Sequence, residues 1–452
     1  MKIQRIIPLS ILLLSASLCG SAQNSEAVTL EKAVQLALQN NPELRSARLE
    51  AEKADERVHE AWGNTMPSID IAGQYGRALK KPVFFLPGIF VGRPQDDIIA
   101  LEVGSTHSVT LSLTARQILF NGAVFVGVGA ASTYSNAAHE LYGAKRLETV
   151  TKVRKAYSGV LLAAEAVALM RSTLKNAEEN LRNVQLMTKH GIVSEYDELR
   201  ATVGVENIRP VVLQTENNYT LALDGLKGVM GVPATDEIAL QGSLTFEEYD
   251  AEIMNNADRS VVEVNPTLRA LRLQREVGEA FVNAERSSYL PTLAAFGNYQ
   301  YQLAKNTMNF SGNDFFPSST VGLSLSMNIF QGFQTSARVD QAKIEVLKTD
   351  AQIQSVQTAL RTGVHSLVGT LRQARKRIEA QQRTVEQAEK GYQIVSRKFV
   401  TGSATQLEVN DAQNALTQAN VNRIQAIYDY LVASADLDLT LGRMPAYVHD
   451  HE

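Results

Sequence analysis

The sequence predicts a mainly α-helical chain with a small β part, arranged as two internal structural repeats. Three observations predict it: long proline-free segments with a coiled-coil seam, four short segments of alternating apolar and polar residues, and an ordered set of motifs that recurs once within 452 residues. A disordered or collagenous chain is excluded by 44% hydrophobic and 20% charged residues. The balance of 44 Lys+Arg against 48 Asp+Glu argues against a nucleic-acid binder, which needs a basic face. The one cysteine, Cys19, rules out a disulfide framework or a Cys-built metal site within one chain.

Met1 to Ala22 reads as a secretory signal peptide. Lys2 and Arg5 supply the positive start, Ile6 to Leu18 is apolar apart from Ser and one Pro, and Gly20-Ser21-Ala22 supplies small residues before Gln23. A membrane-spanning helix would need ~20 apolar residues, more than this segment has. Acylation of Cys19 is the lipoprotein alternative, but Leu18 stands where such a cleavage site carries a small residue. Cleavage after Ala22 removes Lys2, Arg5 and Cys19, leaving an exported acidic chain without cysteine. Beyond the signal no apolar run approaches the ~18 residues of a membrane helix. An exported chain that enters a membrane without one has the closed β-barrel as its option.

The repeat is read by self-comparison. Asn41-Pro42-Glu43-Leu44-Arg45 recurs as Asn265-Pro266-Thr267-Leu268-Arg269, an offset of 224 that also takes Pro67 to Pro291 and Gly73-Gln74-Tyr75 to Gly297-Asn298-Tyr299. Leu119-Phe120-Asn121-Gly122 recurs as Ile329-Phe330-Gln331-Gly332 at 210, and Gly191, Tyr219 and Gly231 recur as Gly402, Tyr430 and Gly442 at 211. The drop in offset places a longer, variable segment between Tyr75 and Phe120 in the first copy. The repeats are expected at 23–245 and 246–452.

In each repeat helical spacing comes first: Leu30, Ala33, Val34, Ala37 and Leu38 form one stripe over Ala27 to Asn40, and Asn41-Pro42 restarts a second helix. The period then becomes two, predicting strands near 67–76, 107–119, 291–302 and 319–330. Ile69, Ile71 and Tyr75 alternate with Ser68, Asp70 and Gln74, as Val321, Leu323, Leu325, Met327 and Ile329 do with Ser324, Ser326 and Asn328. Four strands long enough to cross a bilayer cannot enclose a usable lumen, so several chains must share one barrel; a dimer gives eight strands and a trimer twelve. Gly76 to Ser105, with Pro82, Pro87, Pro94 and Phe84-Phe85, reads as a long external loop, matched by a shorter one near Ala304 to Ser319.

No proline occurs between Gly122 and His190 or between Gly332 and Thr401. Val339, Ala342, Val346, Thr349, Ile353, Val356, Leu360, Gly363 and Leu367 alternate steps of three and four, and Val409, Ala412, Leu416, Ala419, Ala426, Tyr430, Ala433 and Leu437 form the returning seam. Gly191 and Gly402 end the long helices, with Ser194 and Thr405 as start residues of the next. Two helical hairpins therefore turn near 191 and 402, at the end of a rod opposite the strands.

Catalytic patterns are missing. There is no Gly-rich phosphate loop closing on Lys-Ser/Thr, no Gly-x-Ser-x-Gly elbow and no His-Glu-x-x-His pair, and Gly127-Val128-Gly129 reads as close packing. His449 and His451 lie in an acidic tail expected to be disordered rather than metal-binding. No enzyme and no cofactor is inferred. Two further readings remain: a periplasmic coiled-coil adaptor, which would need a lipoyl-like β domain and usually one hairpin, and a soluble exported scaffold without a pore.

The ordered set resembles the TolC-like outer-membrane efflux protein family over nearly the whole chain after the signal. It is carried by Thr29-Leu30-Glu31-Lys32-Ala33, Asn41-Pro42-Glu43-Leu44, Pro67 and Pro291, Leu119-Phe120-Asn121-Gly122 with its repeat, and the glycine turns. The resemblance implies a homotrimer whose 12-stranded barrel sits in the outer membrane of a Gram-negative cell and continues as a periplasmic helical tunnel. It further implies docking to a periplasmic adaptor and an inner-membrane resistance–nodulation or ABC transporter, with export but no chemistry. It places a periplasmic gate at Glu408 and Asp411, with Asp197 as the matching acid of the first repeat, and adaptor contacts at Gly191, Ile192, Gly402 and Ser403. The i, i+3 spacing of Glu408 and Asp411 puts both carboxylates on one helix face, and threefold symmetry would stack them as two acidic rings. The family often has Val before the two glycines, where His190 and Thr401 stand here.

Overall fold

The computed structural model describes residues 27–92 and 94–451, the side chains of 449–451 excepted. The readings made on 1–22, on Cys19 and on the side chains of His449 and His451 lie outside the described residues.

Thr29 caps α1 (Leu30–Asn40), accepting from Lys32 N at 3.3 Å, and the stripe Ala33, Val34 and Ala37 is buried. The helix starts later than its periodicity predicts, because Val28 is drawn into a parallel bridge with Leu240. Asn41 ends α1 and caps α2 (Pro42–Gly63), whose proline stands where no amide donor is needed. The chain then enters β1 (Ser68–Arg77), a small hairpin of β2 (Val83–Pro87) and β3 (Ile98–Glu102), and β4 (His107–Phe120). After α3 (Gly122–Lys189), α4 (Glu195–Met230), α5 (Ala251–Val264) and α6 (Pro266–Ser287) come β5 (Thr292–Lys305) and β6 (Phe316–Ser326), and α7 (Gln334–Val400) and α8 (Gln406–Leu441) complete the order.

Besides the β2–β3 pair, a four-stranded antiparallel sheet is formed, in the order β1-β4-β5-β6. Its register puts Ile69 opposite Ala115, Gly297 and Val321 in turn, and Asp70 opposite Thr114, Asn298 and Thr320. Strand alternation therefore gives one apolar and one polar face. The apolar face is bare in a single chain: Ile71 is 76% and Val321 85% exposed. Among the described residues β1 and β6 have no outer partner, so both edges are open in a single chain.

Three details differ from the sequence expectation. The last strand stops at Ser326 rather than continuing to 330, because β5 begins at Thr292, opposite Ser326, and offers no ladder beyond it. The external segment 76–105 contains the β2–β3 hairpin, hidden in the sequence because its strands are apolar on both faces. The C-terminal tail is a 3₁₀ turn over Ala446–His451, with Val448 buried among residues of α1, α3 and α4.

The 68 residues of α3 and 67 of α7 each span on the order of 100 Å. Each seam position named on α7 and α8 is buried or half-buried. Two apolar cores lie midway. One gathers Ala33, Val34, Val150, Val153, Tyr157, Leu226 and Met230; the other gathers Val261, Val364, Leu371, Tyr430 and Leu437. Tyr157 Oη shares its one hydrogen between Gln241 O at 2.5 Å and Val28 O at 3.1 Å, closing the loop after α4 onto the first. At the sheet end Asn121 caps α3, and Gly122 is a packing requirement because a Cβ there would lie 2.5 Å from Ser287 Cβ. Before α7, Gly332 has φ +59° and Phe333 φ +63°, so that helix starts two residues later than the sequence match of Gly332 with Gly122 implies.

Candidate functional site

The far tip is built by helix-end chemistry. Gly191 (φ +71°) and Gly402 (φ +76°) follow α3 and α7 in the left-handed region that glycine enters without a Cβ penalty. Ile192 N then donates to Met187 O at 2.9 Å and Ser403 N to Lys398 O at 2.8 Å, each the long bond of a Schellman turn. Gly191, Ile192, Gly402 and Ser403 are all exposed, Ile192 at 63%. One apolar cluster stands behind them, made of Val184, Ala201, Phe399 and Val409 from α3, α4, α7 and α8. It places the two tips side by side. Of its members the sequence seam includes Val409; the grouping of the four is given by the packing.

Ser194 and Thr405 start α4 and α8 as expected, and each forms a reciprocal capping box with an acid that the resemblance assigned to the gate. Thr405 N and Oγ1 donate to Glu408 Oε2 at 2.7 and 3.0 Å, while Glu408 N donates back to Thr405 Oγ1 at 3.3 Å. Ser194 Oγ donates to Asp197 Oδ2 at 2.6 Å, and Asp197 N returns a bond at 3.2 Å. The Thr405 amide, then its hydroxyl, holds the Glu408 carboxyl below its ordinary value. Ser194-x-x-Asp197 and Thr405-x-x-Glu408 are capping-box signatures, so this role was readable from the sequence.

Asp411 is different. Its carboxylate is exposed and has no hydrogen bond or ion pair within the described chain. The offset that takes Asp197 to Glu408 takes Arg200 to Asp411, so a half-buried cation occupies the matching place on α4. Gln406, one turn before Asn410, is buried with its Nε2 donating to Asn410 Oδ1 at 2.9 Å and its Oε1 unpaired. The tip therefore carries two capping acids, Asp197 and Glu408, three acids without such a bond among the described residues, Asp411, Glu195 and Glu198, and the cations Arg200, Lys189, Arg397 and Lys398.

Among the described residues no group of three or more His, Cys, Asp or Glu is placed to hold a metal ion. No described helix is long and apolar enough to cross a membrane.

The chain matches the family model "Outer membrane efflux protein" over residues 33–232 and 259–443. It is 21% identical to outer membrane protein TolC of Vibrio cholerae, covering 98% of this chain and 96% of that one. It is 23% identical to the alkaline protease secretion protein AprF of Pseudomonas aeruginosa, covering 93% of this chain and 85% of the relative. Among solved structures, the outer membrane protein VceC of Vibrio cholerae superimposes with a TM-score of 0.74 at 17% identity, covering 92% of this chain and 96% of the other. The bare apolar sheet face, the long helical hairpins and this full-length match have one explanation: the chain belongs to the outer membrane efflux protein family, a family of outer-membrane transport channels.

Proposed function

We propose that the protein is the outer-membrane duct of a tripartite efflux or type I secretion system: a passive homotrimer that meets a periplasmic adaptor and an inner-membrane resistance–nodulation or ABC transporter. The observation that carries this is the four-stranded sheet, apolar on one face and open at both edges, at one end of helices on the order of 100 Å long. In lipid an open edge leaves backbone donors and acceptors without partners, and only closure satisfies them. Three copies supply twelve strands and a lumen lined by the polar face of Asp70, Gln74, Thr114, Asn298 and Thr320. We read the chain as two repeats, 23–245 and 246–452, since helix pair, strand, strand, long helix and shorter helix follow in the same order in each. Single strand pairs at the ends of two hairpins disfavour an adaptor, and the bare apolar face disfavours a scaffold in water.

The periplasmic gate lies where α4 and α8 begin. Threefold symmetry gathers Asp411, with Glu408 and Asp197 behind it in their capping boxes, into a constriction that draws cations, and Arg200 tempers its charge. Gly191, Ile192, Gly402 and Ser403 form the tips that an adaptor grips. In planar bilayers Asp411→Asn with Glu408→Gln should raise conductance and lower cation selectivity. Unchanged currents remove the gate; a purified protein that stays monomeric and water-soluble, with no conductance, removes the duct.

A further inference from the structure

The hairpin of β2 and β3 extends the β1–β4 pair beyond the sheet. Ala78 N donates to Thr106 O at 2.8 Å and Val103 N to Pro82 O at 2.9 Å, and the register shifts by one residue between Arg77↔His107 and Val83↔Glu102. Both strands are apolar on both faces, Val83-Phe84-Phe85-Leu86 against Ile98-Ile99-Ala100-Leu101. Phe85 is 68% and Phe90, at the turn, 74% exposed. An isolated two-stranded hairpin is marginal in water, and a bare apolar patch of this kind marks an interaction surface.

Its place in the sheet identifies the occupant. The hairpin rises from β1, the open edge, and Lys81 Nζ and Thr106 N both donate to Asn306 Oδ1, at 2.8 and 3.0 Å, fixing its base at the rim. At the opposite open edge β6 begins with Phe316, which the register puts level with Gln74, three residues inside Arg77; the chain before it, from Lys305 through Met308, runs along the rim, and Phe316 and Met308 are 72% and 68% exposed. Closing the barrel with identical chains sets the β6 edge of one copy beside the β1 edge of the next. That brings two bare apolar surfaces together at the external rim.

We propose that the β2–β3 hairpin forms an interchain clasp, covered by the 308–316 segment of a second copy of this chain, with Phe84, Phe85 and Phe90 as its contacts. The clasp rests on closure of the barrel by identical chains. Because Cys19 is the only cysteine, introduced thiols report cleanly. In outer membranes carrying the full-length exported protein, oxidation of Phe85→Cys with Met308→Cys should give disulfide-linked dimers and trimers on non-reducing gels, which neither single substitution gives. The triple change Phe84→Ser, Phe85→Ser and Phe90→Ser should lower the temperature at which the oligomer dissociates in detergent. Native trimers with no interchain link and an unshifted dissociation temperature overturn the clasp and leave the duct standing. Native monomers overturn the shared barrel itself. Quenching of a fluorophore at Phe90→Cys by brominated lipid places the hairpin in the outer leaflet, and that also overturns the clasp.

Discussion

Asn41 caps α2 by accepting from Leu44 N at 3.0 Å and donates its amide to Val229 O at 2.7 Å; Asn265 does the same for Leu268 N at 3.1 Å and Thr440 O at 3.0 Å. Each side chain joins the start of one helix to the end of another nearly two hundred residues away, and both are buried. Asn41→Ala or Asn265→Ala should cost ~1–3 kcal/mol, the loss of a cap plus an orphaned buried carbonyl, measured as a lower unfolding temperature in detergent. The glycines that end these helices are not equivalent to those at the tip. A Cβ on Gly231 would lie 2.5 Å from Asn40 O, whereas one on Gly191 meets nothing within 4 Å, although both have positive φ. Gly191→Ala should therefore cost ~1 kcal/mol of backbone strain, and Gly231→Ala clearly more because the α1–α2 junction must move. Thermal unfolding of the two variants side by side tests the order.

At the scale of elements, the first turn of α8 should respond to pH. The folded Glu408 carboxyl is held below its ordinary value of 4.5, chiefly by the Thr405 amide. Its contribution is then complete above that value and is lost as pH falls through the lower folded value. Amide exchange over 406–409 should quicken, relative to the rest of α8, as the medium is acidified through that window, and Glu408→Gln should remove the effect. The same elements show what the sequence could tell. Coiled-coil seams and strand alternation were legible because burial imposes a period of 3.5 or 2 on a polar background. The β2–β3 hairpin was not, because residues apolar on both faces carry no period. The strand end at Ser326 was also hidden, since Met327 and Ile329 keep the alternation beyond the point where β5 has a partner to offer. At the tip, the acids and glycines were readable one by one. Their grouping through Val184, Ala201, Phe399 and Val409 depends on how four helices pack, which no local pattern records.

On the scale of the whole molecule, the two halves must act as one wall, and a polar link far from either end ties them. Arg154 of α3 donates to Asp438 of α8 at 2.6 Å, with side chains only 20% and 12% exposed, and Tyr249 Oη donates to the other carboxylate oxygen at 2.6 Å. Burial, reinforced by the neighbouring Asp438 carboxylate, pushes the Tyr249 hydroxyl well above the usual phenol range, so it stays protonated and keeps donating. Lys155 adds a second, more exposed pair with Asp436 at 2.9 Å. A buried pair of this kind adds little net stability over apolar packing, but removing one partner strands the other charge away from water. Arg154→Ala should therefore cost ~3–5 kcal/mol, while Arg154→Met with Asp438→Leu and Tyr249→Phe, which leaves neither the charge nor the Tyr249 hydroxyl stranded, should recover most of that loss. Lys155→Ala, at a pair that solvent already screens, should cost under ~1 kcal/mol. Thermal unfolding of these variants, with limited proteolysis of the connection between α4 and α5 as a second readout, tests the assignment. If Arg154→Ala proves as mild as Lys155→Ala, the junction is held by its apolar core alone.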